Sequence, residues 1–280
     1  MKQPTLASAV IAALALQSNA YAAEPISTSG VVEVEISSSE GTSDIGLATA
    51  ELGFSAAINK STTADILFLY EGDTTDVDSA SITYKTPDSP WSVTAGQIGV
   101  PFGSFATNMI SDPLTLELGE TSEDAVQLDY EAGNLTTSFY LFNGTNSVAT
   151  ADKIDNFGLN ITHASDTLAV SFGYINDIGD SDGLQDANDV SNVMAAQVPG
   201  QSIALQFTAG SFTLIGEQVS AGEAFAAGEV TAAAIQPSAT NIELAFGMGN
   251  NATLALGMQS SNDANGLLDK SRTMLGYAMA

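Results

Sequence analysis

Apolar side chains recur at every second position through much of this chain. From Ser202 to Thr208, Ile203, Leu205 and Phe207 alternate with Ser202, Ala204, Gln206 and Thr208. Thr167 to Gly173 sets Leu168, Val170 and Phe172 against Thr167, Ala169, Ser171 and Gly173, and Ala125 to Glu131 sets Val126, Leu128 and Tyr130 against Gln127, Asp129 and Glu131. A period of two belongs to strands with chemically different faces, whereas helical spacing is rare here. Segments 241–246 and 251–258 repeat the pattern. Less regular ones lie near 29–37, 44–58, 64–71, 78–86, 90–99, 135–142, 154–163, 212–220 and 271–279. The pattern therefore predicts an all-β protein of about fourteen strands, of a length suited to the roughly 9–11 residues of a tilted membrane strand.

Short clusters of turn-forming residues separate many of these strands, among them Ala132-Gly133-Asn134, Ala164-Ser165-Asp166, Gly210-Ser211 and Gly249-Asn250-Asn251. Other connections are long and polar: 100–123, 143–153, 177–190, 221–238 and 259–270. Consecutive hairpins imply an antiparallel up-and-down meander, which needs closure because an open sheet of this size leaves long exposed edges. Short turns on one side and long loops on the other fit a transmembrane β-barrel. A secreted or surface-attached acidic β protein that binds calcium or a protein partner is the alternative, since soluble sandwiches also alternate.

The N-terminus supplies the compartment. Lys2 precedes an apolar run from Leu6 to Leu16 and then Ala20-Tyr21-Ala22, the three-part pattern of a signal peptide cleaved near Ala22-Ala23. Residues 1–22 are thus expected to be the signal peptide and 23–280 a single barrel domain. The run is too short for a membrane helix. The chain has no cysteine, which excludes a disulfide framework and a thiolate metal site. With 33 acidic residues against 6 basic ones and a formal charge of −27, nothing is available to neutralise nucleic-acid phosphates.

Several acids fall on the polar parity of their strands: Glu33, Glu35, Glu51, Asp129, Glu131 and Glu243. In a barrel that parity faces the lumen, because a charge turned into lipid costs several kcal/mol near the midplane. Lys153, Lys270 and Arg272 sit near loops or strand starts and leave the middle unbalanced. The expected interior is hydrated, acidic and cation-preferring. The segment from Gly99 to Thr121 breaks the rhythm: Pro101 and Pro113 forbid a continuous central strand, and its apolar residues fit no single period. It reads either as a loop folded inward to narrow a channel or as an extracellular loop packing its own apolar residues. Pro101, Phe102, Gly103, Asn108, Asp112, Glu117 and Glu120 are its candidates for the constriction or a ligand contact.

This stretch, TAGQIGVPFGSFATNMISDPLTLELGET at 94–121, resembles the LbtU family of siderophore porins of Gram-negative outer membranes. GVVEVEIS at 30–37, SDIGLATAELGFSAAI at 43–58, ILFLYEGD at 66–73, the Phe-Asn-Gly at 142–144, DKIDNFGLN at 152–160, INDIGDSDGLQD at 175–186 and FTLIGEQV at 212–219 extend it over nearly the whole mature chain. The resemblance implies a porin-like barrel in the outer membrane, without a plug domain, associated with ferric-siderophore uptake. Barrel assembly machinery would be its partner during insertion. The last strand, SRTMLGYAMA, lacks a terminal aromatic residue. The resemblance implies further strands, and about sixteen would restore the even count of bacterial barrels.

Catalysis has little support. His163 is the sole histidine and no nucleophile elbow accompanies it, so the chain reads as a non-enzyme without a cofactor. Asp180, Asp182 and Asp186 alternate around Gly183 like half of a calcium loop, but the closing glutamate is missing and Asp189 stands near its place. Trp91, Tyr84, Tyr130, Tyr140, Phe142 and Tyr174 lie at or near strand ends, where interface girdles occur.

Overall fold

The computed structural model describes residues 18–19, 26–39, 42–71, 74–109, 111–144, 154–187, 194, 196–249 and 252–279. The signal-peptide reading falls almost wholly outside them, as do Lys153 and Asp189. Fifteen strands follow one another in a single sheet, each hydrogen-bonded to its neighbours in chain order. They are β1 (Ser18–Asn19), β2 (Ile26–Ser39), β3 (Thr42–Asn59), β4 (Thr62–Glu71), β5 (Thr74–Lys85), β6 (Trp91–Gly99), β7 (Ser122–Ala132), β8 (Leu135–Phe142), β9 (Asn156–Ala164), β10 (Leu168–Ile175), β11 (Gly200–Ala209), β12 (Phe212–Ala221), β13 (Ser238–Gly249), β14 (Ala252–Asn262) and β15 (Ser271–Met279). Apart from the two-residue β1, each coincides with one strand expected from alternation. Among the described residues helix is confined to connections: α1 (Leu114–Gly119), α2 (Asp182–Ala187) and a short 3-10 turn at Ile178–Asp180.

The chain divides into two compact units. The first takes the chain to Ser89, together with Thr94–Ile98 of β6. Its strands β2 to β5 carry register shifts at Glu33/Val34, Ala57/Asn59 and Leu67/Phe68, and an extra residue at a bulge swaps the faces of everything beyond it. Irregular alternation in this part of the sequence has that cause.

The second unit comprises Pro90–Val93 and Gly99–Ala280. Its pairing is regular apart from one shift, at Gly247/Gly249 between β13 and β14. β11 and β12 run from Gly200↔Ala221 to Ala209↔Phe212 without a shift, around Gly210 in the left-handed conformation (φ 60°) that a tight hairpin demands. Every described long connection here leaves the same end: 100–121, 143–155, 176–199, 222–237 and 263–270.

One face of this unit is apolar and unburied. Ile203, Leu205 and Phe207 on β11, Ile242, Leu244 and Phe246 on β13, and Leu254, Leu256 and Met258 on β14 are all exposed, Met258 at 61 %. Their neighbours on the other parity, Ser202, Ala204, Asn241, Glu243, Ala245, Ala255 and Gln259, are buried. A water-soluble sandwich would reverse this arrangement, because burying large apolar side chains is what drives its folding. The inversion suits a sheet whose outer face meets hydrocarbon and whose inner face is polar. Aromatic pairs strengthen that outer face, Trp91 with Tyr130 at 4.7 Å and Phe212 with Phe246 at 4.8 Å between ring centroids. Tyr174 also lies among the outward residues, and Tyr84 is exposed in the first unit, but Tyr140 and Phe142 are buried on the inner face. Those two are thus filling rather than girdle, since the strand parity places Phe139 and Leu141 outside.

Candidate functional site

The 100–121 segment lies against the inner face of the second unit, and two glutamates hold it there. Glu217 is buried on β12 between Ile215 and Val219. Its carboxylate accepts the backbone N–H of Ser104 at 2.7 Å, that of Phe105 at 3.0 Å and the Thr115 hydroxyl at 3.0 Å. One strand further on, Glu243 is 0 % exposed. It accepts the Thr107 hydroxyl at 2.6 Å, the Asn108 N–H at 2.7 Å, and the side-chain amides of Asn108 and Asn241. A strandless segment has no ladder to satisfy its backbone, and these carboxylates take that role. Phe105 is held at a positive φ of 50°, uncommon for a bulky residue, where its N–H meets Glu217.

Further contacts fasten both ends. The Phe102 carbonyl accepts from the Ser202 hydroxyl and from Asn160 Nδ2. Gly173 is needed beneath it, because a Cβ at that position would run into the same carbonyl. The Leu114 N–H donates to Gln259 at 3.2 Å. Pro113 starts α1 with its fixed φ, and Leu114 and Leu118 of this helix are wholly buried along with Phe102. At the far side Arg272 on β15 meets Glu117 in a forked pair at 2.5 and 3.3 Å and also reaches Asp269 at 2.8 Å.

Of the expected constriction residues, Phe102 and Asn108 are anchoring points and Glu117 is the ion-pair partner. Pro101 and Gly103 border a cavity of about 310 Å³. Asp112 offers its backbone carbonyl to Arg272, and Glu120 is exposed, its carbonyl accepting the Asp182 N–H. Of the expected lumen acids, Glu243 is the one that grips the segment. Asp129 accepts from Ser138 at 2.6 Å and Gln127 at 2.8 Å, while Glu131 is exposed at the short-turn end of β7. In the first unit Glu51 feels the like charges of Asp78 and Glu33. The Glu35 side chain lies outside the described residues. Glu217 was not singled out by alternation; a lone carboxylate flanked two residues away on both sides by Ile215 and Val219 was the available signal.

Asp180, Asp182 and Asp186 do not converge around a central point. Asp182 and Asp186 belong to α2, Asp186 is exposed, Asp180 accepts from Asn156, and Asp182 accepts the Ser122 N–H at 3.2 Å. Among the described residues no group of three or more carboxylates or imidazoles is placed to hold a metal ion. Nearby, Asp177 accepts the N–H groups of Gly179 and Val198. Burial, reinforced by the Asp180 charge, pushes its carboxyl up to about 7.

These features define a porin-type sheet: up-and-down antiparallel strands, an apolar outer face and a long connection laid across the polar inner one. Solved structures share the fold. An anion-selective porin from Comamonas acidovorans superposes with a TM-score of 0.65 over 91 % of this chain and 83 % of that one, at 12 % identity. Salmonella typhi OmpF, solved with daunomycin, gives 0.64 over 91 % and 85 %, also at 12 %, and the outer-membrane channel DcaP of Acinetobacter baumannii gives 0.60 over 92 % and 86 %, at 13 %. No family model matches the chain. Among curated proteins it is similar to the UPF0422 protein lpp3030 of Legionella pneumophila, 28 % identical over 176 residues, and to a UPF0422 protein of Coxiella burnetii, 31 % identical over 105 residues. The matches cover 59 % and 34 % of this chain but 32 % and 23 % of those proteins, so the chain spans about a third or less of the relatives it matches.

Proposed function

We propose that this protein is a channel of the Gram-negative outer membrane through which small solutes diffuse, its bore narrowed by residues 100–121. The fastening of that segment to the inner face by Glu217 and Glu243, opposite an exposed apolar face, carries the reading. A chain exported by the segment at 1–22 and inserted by barrel assembly machinery would meet lipid with Ile203, Leu244 and Leu256 and water with Asn160, Ser202 and Glu217. Diffusion through such a bore requires no catalytic group. The test is conductance of the folded protein in planar bilayers: stable, stepwise ion currents are expected, and an electrically silent protein that remains heat-modifiable in detergent gels would refute the channel.

Two finer properties belong to the same proposal. Cation preference rests on the overall charge of −27 and on Glu51, whose carboxylate feels the charges of Asp78 and Glu33; reversal potentials in a salt gradient decide it, and anion preference would refute it. Ferric-siderophore uptake rests on the resemblance of 94–121 and its companion segments to the LbtU porins. Proteoliposomes loaded with a panel of ferric siderophores should release or accumulate at least one faster than protein-free vesicles. A bound calcium ion at 180–186 would need Asp180 and Asp182 to leave their present partners, and titration calorimetry at millimolar calcium checks it.

A further inference from the structure

The charges of this chain thin out to one residue at a place where solute would linger. On the short-turn side of Phe102, the 100–106 stretch and the inner faces of β8 to β12 enclose the cavity of about 310 Å³, at the small end of the range in which proteins hold small molecules. That position follows from register: Ser202 and Gly173 meet Phe102, while Ala204, Gln206, Ser171 and Ala169 continue from them toward the hairpin turns.

Its wall mixes neutral hydrogen-bonding groups with small and apolar residues such as Ala169, Ala204 and Ile215. Thr136, Ser138, Asn160, Thr162, Ser171 and Gln206 all line it. The one charged lining residue is Glu217, and both of its oxygens are already engaged by Ser104, Phe105 and Thr115. The Thr162 hydroxyl lies 2.9 Å from both Asn160 Oδ1 and Ser171 Oγ, so its proton is committed inside the wall. A hydroxyl retains acceptor lone pairs after donating. The Thr136 hydroxyl and the Gln206 amide make no protein hydrogen bond among the described residues, and Gln206 can both donate and accept.

We propose that this cavity is a subsite for neutral polyhydroxylated solutes, sugars and related polyols, on the path of the channel proposed above, on which it depends. Such a solute presents many O–H groups that both donate and accept, with no charge to be desolvated. Each can exchange a water for Thr136, Thr162, Ser171 or Gln206 at little net cost, whereas a group left unpaired would be penalised. An ion gains less here: Glu217, the one carboxylate in the lining, already accepts three hydrogen bonds from the segment, and no lysine or arginine greets an anion.

The experiment is titration of ion current through the full-length protein in planar bilayers with maltose and glucose, with gluconate as the anionic and glucosamine as the cationic counterpart. Saturable current block by the neutral sugars is expected in the millimolar range, at least fivefold tighter than by either charged analogue. The pair Thr136→Val and Thr162→Val, and separately Gln206→Leu, should each weaken sugar block fivefold or more, in protein whose heat-modifiable migration certifies folding. Ion current without saturable sugar block overturns the subsite and leaves the channel standing, as does block by the charged analogues at equal or lower concentration. Absence of any current defeats the channel and the subsite together.

Discussion

The Glu217 carboxylate takes the backbone N–H of Ser104 at 2.7 Å across 113 residues of sequence. Glu243 does the same for Asn108 across 135. Each substitution to alanine strands two or more donors, at about 1–3 kcal/mol for each one left buried. Glu217→Ala combined with Glu243→Ala should therefore free the segment. Single-channel conductance is expected to rise by half or more, with larger neutral solutes admitted in vesicle-swelling assays; unchanged conductance would mean that the segment stays in place without them.

Gly173 tests the same seating from the opposite side. A methyl group there collides with the Phe102 carbonyl, so Gly173→Ala should displace the start of the segment and cost on the order of 1–3 kcal/mol, as other overpacked sites do. Thermal unfolding in detergent measures the cost, and a conductance change without loss of the barrel's heat-modifiability would report the displacement.

Arg272 and Glu117 form a partly exposed ion pair, with 26 and 31 % of their side chains accessible. Screening keeps the contribution of such a pair to about 1 kcal/mol or less. Arg272→Gln should leave the fold intact while increasing current fluctuations, and 1 M salt should reproduce that noise in the unaltered protein because the screening length falls to about 3 Å.

The outer face makes a sharper demand. An arginine at Leu256, near the middle of β14, would cost about 2–4 kcal/mol if that position lies at the membrane midplane. Leu256→Arg is expected to lower the yield of heat-modifiable protein in liposomes severalfold. Ser260→Arg, beyond the apolar stretch on the same strand, should be tolerated.

Asp177 gives a pH dependence whose sign follows from its raised carboxyl. Folding favours the protonated form, so the stabilisation is complete below the ordinary carboxylate value of 3.8 and is lost as pH rises through about 7. Protection from hydrogen exchange at Gly179 and Val198, taken relative to the intrinsic base-catalysed rate, should therefore fall between pH 5 and 8. Asp177→Asn keeps an oxygen for both N–H groups and should flatten that profile.

Much of this was written locally in the chain. Ile203, Leu205 and Phe207 disclose a strand and its two faces because a side chain's face depends only on its neighbours' parity. That parity also placed Glu243 inward. What Glu243 holds was not legible, since Thr107 and Asn108 are brought to it only by the curvature and order of the intervening strands. Glu217 was obscured for a related reason: β12 carries Ile215 inward at the cavity and Val219 inward against Gly119 of α1, so its apolar residues occupy both parities. Pro101 and Pro113 announced that the segment would not be a strand, yet two prolines say nothing about which surface receives it. In the first unit, register shifts at Glu33 and Leu67 blurred the alternation itself.

The segment precedes everything that secures it. Ser202, Glu217, Glu243, Gln259 and Arg272 all follow their partners by 100 residues or more. A chain cut before β12 would therefore keep the whole segment and lose both carboxylates that hold it. The seat of this segment is thus made wholly by the second half of the chain, and its hold is a property of the finished sheet, not of the segment itself.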